Sequence, residues 1–128
     1  MTKEELNSLS KILLDACIVV HREMGPGLLE SIYEMCLLNE LFRRNVNAVS
    51  QVSIPLLYKG IELSKDFRID ILIENEIILE IKSVENLLPV HEAQIISYLK
   101  LADKRLGFLI NFNVSLLKVG FKRFVNNF

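Results

Sequence analysis

Two acidic residues interrupt stretches of the chain that otherwise consist mainly of isoleucine and leucine. Asp70 lies within residues 69–73 and Glu80 within residues 77–82. The turn candidate between them is Glu74-Asn75-Glu76, and asparagine tolerates the left-handed backbone that a three-residue hairpin loop requires. The spacing therefore predicts a β-hairpin centred on Asn75. Its predicted pairs are Ile73 with Ile77, Leu72 with Ile78, Ile71 with Leu79, and Asp70 with Glu80.

This hairpin would place the carboxylates of Asp70 and Glu80 directly opposite each other. The β-carbons of residues that face one another across an antiparallel pair lie about 4.5–5.5 Å apart. Like charges at that distance repel, and a cation between them relieves the repulsion. Proteins commonly hold magnesium with one or two carboxylates and water, so Asp70 and Glu80 are predicted metal ligands.

Lys82 adds a positive charge to this arrangement. It lies two residues after Glu80, so both side chains project from one face of the strand, while Ile81 points into the core. A lysine beside a two-carboxylate metal site can hold a phosphate oxygen or orient an attacking water. The alternative is a salt bridge among Asp70, Glu80 and Lys82 on a solvated face, which is a common arrangement of surface charges.

Glu30 is a further acidic candidate, near the start of a predicted helix. At about 100° per residue it falls between Tyr33, Leu37 and Leu41, so it is expected within the apolar stripe of that helix. A carboxylate on a buried helix face needs a partner. The alternative is that Glu30 only stabilises the helix N-terminus, where acidic residues are favoured.

A later helix carries polar residues on one face, among them His91, Gln94 and Tyr98. Gln94 and Tyr98 are one helical turn apart. The alternative to a functional role is that these side chains form buried hydrogen bonds to neighbouring backbone groups.

The periodicity of apolar residues defines the elements that must hold these side chains. Helical spacing covers three segments, and Gly25-Pro26-Gly27 ends the first of them. Long apolar runs rich in isoleucine are typical of strands covered on both faces, and Pro55 indicates a sheet edge or a bulge. The order predicts a mixed β-sheet flanked by helices, an α/β (α+β) fold. The predicted helices are residues 3–22, 28–44 and 90–102, and the predicted strands are 47–58, 61–73, 77–83, 106–112 and 117–122.

Length and composition set the class of protein. The chain has 128 residues, of which 51% are hydrophobic and 24% charged, which predicts one domain over residues 1–128 with a sizeable core. This composition excludes disorder over most of the length. Lys and Arg number 15 and Asp and Glu 16, which excludes a globally basic coat but allows a local basic site.

Neither a membrane span nor a signal peptide is expected. The longest uncharged run, residues 45–58, is interrupted by polar residues and proline and is too short for a bilayer. Residues 1–10 carry acidic and polar side chains where a signal peptide needs a basic start and an apolar stretch. A cytoplasmic location is therefore expected, with Cys17 and Cys36 as buried free thiols.

One segment of the chain has the pattern of a known family. Residues 27–33, Gly-Leu-Leu-Glu-Ser-Ile-Tyr, match the pattern that names the GxxExxY protein family. Other segments resemble that family in the same order, over about residues 8–127. This resemblance places the chain with the PD-(D/E)xK nuclease-like superfamily. The matching features are His21, Gly25-Pro26-Gly27, Asp70 followed by Glu80-Ile81-Lys82, residues 91–94 with Tyr98, and Gly107 followed by residues 111–113.

The resemblance implies a restriction-endonuclease-like core of helix, three strands, helix and strand, with an extra N-terminal helix. It also implies a magnesium-dependent phosphodiesterase site, with manganese as a substitute. Asp70 and Glu80 would bind the metal and Glu30 would complete the site. Lys82 would position or activate water. The proline of the superfamily's name is replaced by Ile69, a change that removes no ligand.

The same resemblance implies roles for residues on the helices. Gln94 would be an auxiliary catalytic residue, with Tyr33, His91 and Tyr98 as weaker candidates. No residue of the family pattern is missing, so the sequence gives no sign of an inactive site.

Two functions from different classes stay open. The first is a metal-dependent nuclease, with DNA as the expected nucleic acid. The second is a non-catalytic nucleic-acid-binding or assembly protein that keeps the fold. A short, apolar chain with an extra amphipathic N-terminal helix also predicts a homodimer. Phosphate contacts would dominate the affinity for nucleic acid, with Arg43, Arg44, Lys118, Lys122 and Arg123 as candidates.

Overall fold

The computed structural model describes all 128 residues, which form three α-helices, five β-strands and one 3₁₀ helix. None of the helices combines the length and the hydropathy needed to span a membrane. The helices are α1 (Lys3–Met24), α2 (Glu30–Arg43) and α3 (Pro89–Ala102). The strands are β1 (Ala48–Tyr58), β2 (Ile61–Ile73), β3 (Ile77–Lys82), β4 (Leu106–Asn111) and β5 (Phe121–Val125).

The strands form one sheet in the order β1-β2-β3-β4-β5. β3 and β4 are parallel, with α3 between them in sequence, and the other neighbours are antiparallel. α1 and α2 pack on one face of the sheet and α3 on the other. β3 and β4 are buried on both faces, which explains their nearly continuous apolar sequences. The predicted mixed sheet flanked by helices is confirmed.

The hydrophobic clusters on the two faces show which way the side chains of β3 point. Ile77, Leu79 and Ile81 pack with α1 and α2, whereas Ile78 packs with α3. Successive strand residues alternate between faces, so Glu80, like Ile78, projects toward the α3 face.

The hairpin between β2 and β3 has the predicted register over three residue pairs, from Ile71–Leu79 to Ile73–Ile77. Its loop is centred on Asn75, and both Glu74 and Asn75 adopt left-handed φ angles, of 51° and 56°. The left-handed conformation at Asn75 is the one that the sequence predicted for the turn.

The fourth predicted pair, Asp70 directly opposite Glu80, is not part of the ladder. The Oδ2 atom of Asp70 instead accepts a hydrogen bond from the backbone N–H of Ile81, at 2.7 Å. β2 continues along β1 while β3 continues along β4, so the two strands separate at Asp70. The side chain of Asp70 thus replaces a backbone carbonyl as the acceptor for the Ile81 N–H.

β1 is an edge strand, and its register with β2 shifts between Ile54 and Leu56, on either side of Pro55. Before residue 71, β2 pairs only with β1. Residues 54–67 therefore form a two-stranded arm that extends past the end of β3.

A final strand is present as predicted, but it begins at Phe121 rather than at residue 117. Leu117–Gly120 form a 3₁₀ helix, and β5 follows at Phe121–Val125. Apolar and polar residues alternate in this segment as they do in a strand. Leu117 is nevertheless buried under α1. A β-carbon at Gly120 would lie 2.3 Å from the carbonyl oxygen of Asn111. This close approach requires glycine.

Candidate active site

Asp70 lies where β2 and β3 separate, half-buried and held in place by its bond to the Ile81 N–H. It lines a cavity of about 190 Å³ together with residues of α2 and β1. One carboxylate oxygen of Asp70 is thus used structurally. The carboxyl group of Asp70 also lies next to that of Glu80.

Glu80, on the α3 side of β3, is 3% exposed, and its Oε1 atom has no hydrogen-bond partner. Burial raises the pKa of Glu80 to about 9, with further contributions from the charge of Asp70 and from hydrogen bonding to it. The positive charge of Lys82 opposes this shift. At neutral pH and without a cation, Glu80 therefore keeps its proton.

The alternative of a surface salt bridge among Asp70, Glu80 and Lys82 is wrong. The salt bridges of the chain join other residues, and Glu80 is buried rather than solvated. Lys82 is half-buried, and its ammonium group has no hydrogen-bond partner in the protein. Its charge remains available to a ligand.

Glu30 is exposed, so its predicted position in the buried stripe of α2 is wrong. It is the first residue of α2, and its Oε2 atom accepts a hydrogen bond from the backbone N–H of Ser83, at 3.1 Å. Glu30 and Asp70 line the same cavity. No group of three or more acidic, histidine or cysteine side chains lies close enough together to hold a metal ion, so Glu30, Asp70 and Glu80 do not form a three-carboxylate cluster in this structure.

Two residues of this cavity, Glu34 and Gln51, were missed by the sequence analysis. The Nε2 atom of Gln51 donates a hydrogen bond to Oε1 of Glu34, at 2.9 Å. Gln51 lies in β1 between Ser50 and Val52, which pair with Ile71 and Ile69, and it has a left-handed φ of 53°. Burial raises the pKa of Glu34. The hydrogen bond from Gln51 opposes this shift, and the nearby charge of Asp70 adds to it. The sequence gives one indication of Glu34, which lies one helical turn after Glu30 and so on the same side of the helix.

Gln94 and Tyr98 approach the carboxylates from α3. The Nε2 atom of Gln94 donates a hydrogen bond to the Tyr98 hydroxyl, at 3.1 Å, so the side chains bond to each other rather than to backbone. Burial raises the pKa of Tyr98, and the nearby charge of Glu80 adds to the shift. Tyr98 belongs to the same apolar cluster as Ile78, on the face of the sheet toward which Glu80 projects.

Tyr33 and His91 bond to backbone groups. The Tyr33 hydroxyl donates to the carbonyl of Gly25 at 2.5 Å and accepts from the N–H of Leu28 at 3.1 Å. The Nδ1 atom of His91 accepts from the N–H of Leu88 at 3.0 Å, at the start of α3. These bonds fix the segments that lead into α2 and α3 and thereby position Glu30 and Gln94.

Asn111 and Ser83 hold the chain that leaves β3. Asn111 is buried, donates to the carbonyl of Val84 and accepts from the N–H of Val84. The Ser83 hydroxyl donates to the carbonyl of Leu28, at 2.6 Å. The backbone after Lys82 is therefore tied both to β4 and to the start of α2.

A family model of the PD-(D/E)XK nuclease superfamily matches residues 7–124. The chain belongs to this superfamily. No curated protein and no solved structure matches the chain. The superfamily expected from the sequence is confirmed, while the narrower GxxExxY resemblance stays a prediction. Nucleases of this superfamily generally use divalent metals.

The carboxylates fit such a metal. Glu80 Oε1 is a buried oxygen without a partner, and the Asp70 carboxyl lies beside it, with Oδ2 bonded to the Ile81 N–H. Carboxylate oxygens are the ligands that magnesium prefers, and it usually keeps several water molecules when only one or two carboxylates bind it. A site made of the Asp70 and Glu80 carboxylates, with Glu30 lining the cavity beside Asp70, matches this requirement.

Proposed function

We propose that the chain is a magnesium-dependent phosphodiesterase that cuts nucleic acid, with DNA as substrate and endonuclease cleavage as its activity. Glu80 is the observation that carries this proposal. It is a buried carboxyl beside Asp70 whose Oε1 atom has no hydrogen-bond partner, and the chain belongs to the PD-(D/E)XK nuclease superfamily. A structural carboxyl would be expected to have a hydrogen-bond partner.

Asp70 and Glu80 would hold the metal directly, and Glu30, which lines the same cavity as Asp70, would act on its water shell. Bound magnesium, or manganese in its place, neutralises phosphate charge and lowers the pKa of a bound water. The hydrogen bond from Ile81 fixes the Asp70 carboxylate in advance, so little reorganisation is needed when the metal binds.

Lys82 would hold a phosphate oxygen or orient the attacking water, because its ammonium group has no other partner. The Gln94–Tyr98 pair lies on the α3 side and offers an exposed amide next to a buried hydroxyl. We assign Gln94 to substrate contact and Tyr98 to holding Gln94 in place. Tyr33 and His91 position the starts of the two helices.

Cleavage of labelled nucleic acids tests the proposal. Duplex, branched and single-stranded DNA, and RNA, are incubated with the purified chain in magnesium, manganese, calcium or chelator. We expect cleavage with magnesium and manganese, little turnover with calcium and none with chelator. Glu80→Ala should abolish cleavage, Lys82→Ala should lower it about 100- to 1000-fold, and Glu30→Ala should fall between them. Glu85→Ala, a change at an exposed acid, is the matched control.

The assay also separates the nuclease from a non-catalytic binding or assembly protein. Equal trace activity in the parent and in Glu80→Ala would identify contamination and contradict the proposal. Binding of DNA without any Glu80-dependent cleavage would then favour the non-catalytic function.

A further inference from the structure

Arg22 is the one arginine whose side chain forms no hydrogen bond within the protein. The chain has six arginines, and Arg22 also takes part in no salt bridge. A guanidinium presents five N–H donors in a planar fork that matches the oxygens of a phosphate. All five N–H donors of Arg22 are therefore available to a ligand. The arginines that donate to other groups of the protein are Arg43, Arg44, Arg68, Arg105 and Arg123.

Arg22 lines a cavity of about 390 Å³ between the end of α1 and residues 115–118. The other polar side chains of its lining are His21, Ser115 and Lys118, and no carboxylate is among them. Lys118 is exposed and forms no salt bridge. In a chain with a net charge of -1, this concave surface carries only positive and neutral groups, which favours an anion.

Hydrogen bonds to backbone carbonyls fix both walls of this cavity. The Nε2 atom of His21 donates to the carbonyl of Val114 at 2.7 Å and so holds the segment that carries Ser115 and Lys118. The Tyr33 hydroxyl holds the carbonyl of Gly25 on the other wall. The cavity is therefore formed before a ligand arrives, which lowers the entropic cost of binding.

The cavity lies close to the candidate active site along the chain. Pro26 lines it, and Glu30 follows four residues later, so their Cα atoms are at most about 14 Å apart. One strand of duplex DNA advances about 3.4 Å per nucleotide. A strand cut near Glu30 therefore has phosphates within reach of the cavity, about four nucleotides or fewer away.

We propose that this cavity, the Arg22 pocket, binds a backbone phosphate of the nucleic acid near the phosphate that is cut. The inference rests on the proposed function and assigns part of its substrate contact. Arg22 binds the phosphate through paired N–H donors and Lys118 through its charge. Such contacts set the position of the strand without reading its sequence.

Salt-dependent binding tests the pocket. The full chain is titrated into fluorescein-labelled duplex DNA, with calcium in place of magnesium, between about 50 and 200 mM NaCl. Arg22→Gln and Lys118→Gln should each weaken binding and reduce the slope of log affinity against log salt by about 1. Arg22→Lys should restore part of the slope, and cleavage by the variants in magnesium should show a raised KM with kcat nearly unchanged. Lys65→Gln, which removes an exposed charge on the two-stranded arm, should leave the slope at the parent value.

The outcomes separate the pocket from the proposed function. If the parent binds and cuts DNA, and both pocket variants keep its salt slope, the proposal for the Arg22 pocket is contradicted and the proposed nuclease function is not. If the parent neither binds nor cuts any nucleic acid, both proposals fail. If inorganic phosphate raises the melting temperature only when Arg22 is present, while the DNA slopes do not change, the pocket serves a free phosphate and the proposal is overturned.

Discussion

Glu80 is a carboxyl side chain that the folded protein keeps away from water and next to a second carboxyl. Without a cation, ionising it is unfavourable because burial and the charge of Asp70 both oppose the negative form. A divalent cation needs the ionised oxygen as its ligand, so proton and metal compete for the same atom.

The stability of the metal-free protein should depend on pH through Glu80. The pKa of Glu80 is about 9 in the folded chain and near the ordinary value of 4.5 when unfolded, so the unfolded chain releases this proton first. The contribution of Glu80 to stability is therefore fully present below pH 4.5 and is lost as pH rises toward 9. Urea unfolding in chelator should show lower stability at about pH 8.5 than at about pH 6.

Glu80→Gln, which cannot ionise, should show a smaller decrease than the parent over this pH range. The exposed control Glu85→Gln should follow the parent. An equal decrease in all three proteins would contradict the assignment of the shift to Glu80.

A second prediction compares two changes at Asp70. Asp70→Asn keeps an oxygen for the Ile81 N–H and removes a charge next to Glu80, so the metal-free protein should be at least as stable as the parent. Asp70→Ala leaves that N–H unpaired and should cost about 1–3 kcal/mol. Both variants should lose the rise in melting temperature that magnesium gives the parent. A destabilised Asp70→Asn protein that still responds to magnesium would assign Asp70 a structural role instead.

The sequence predicted Asp70, Glu80 and Lys82 as candidates because polar residues in apolar strands are conspicuous. It could not predict the partners Glu34 and Gln51, since their contact depends on the left-handed residue in β1 and on where α2 crosses the sheet. It also placed Glu30 too deep, because Glu30 is the first residue of α2, and periodicity does not show whether the end of a helix is covered by other elements.

The connection between α1 and α2 is held by one side chain from α2. Tyr33 stacks on Phe112, with 4.5 Å between ring centroids, and its hydroxyl bonds to Gly25 and Leu28. Tyr33→Phe keeps the stacking and loses both hydrogen bonds. It should lower the free energy of unfolding by about 1–3 kcal/mol and reduce cleavage by loosening the start of α2.

Urea unfolding of Tyr33→Phe and of Tyr58→Phe measures this effect. Tyr58 is exposed and its hydroxyl has no hydrogen bond within the protein, so its loss should change stability by less than about 0.5 kcal/mol. Equal effects of the two changes would mean that the Tyr33 hydroxyl does not hold the connection.

Among the elements, the helices and the first four strands were predictable because their apolar periodicity and their turn residues agree. The end of the chain was not, because Leu117–Gly120 alternate like a strand while forming a 3₁₀ helix. What decides that conformation is the close approach of Gly120 to Asn111, a contact between distant parts of the sequence. The separation of β2 from β3 likewise depends on a side chain that replaces a backbone partner.

For the whole molecule we predict a homodimer. Several large apolar side chains are exposed, including Leu29 at 73% and Phe42 at 78%. Burying them against a second copy would stabilise the protein, and two active sites suit a duplex with two strands. Sedimentation velocity at micromolar concentration should give about twice the 14.7 kDa of one chain. A single species of one-chain mass would contradict this prediction.

The two-stranded arm makes the chain suitable for engineering. Its tip, Lys59-Gly60, is exposed and has left-handed φ angles at both residues. Asp70 lies ten positions after Gly60 along β2, a distance of about 33 Å at the usual rise of a strand. A fluorophore attached there, or a short peptide epitope inserted there, would report on the protein in single-molecule experiments without reaching the cavity where cleavage is proposed.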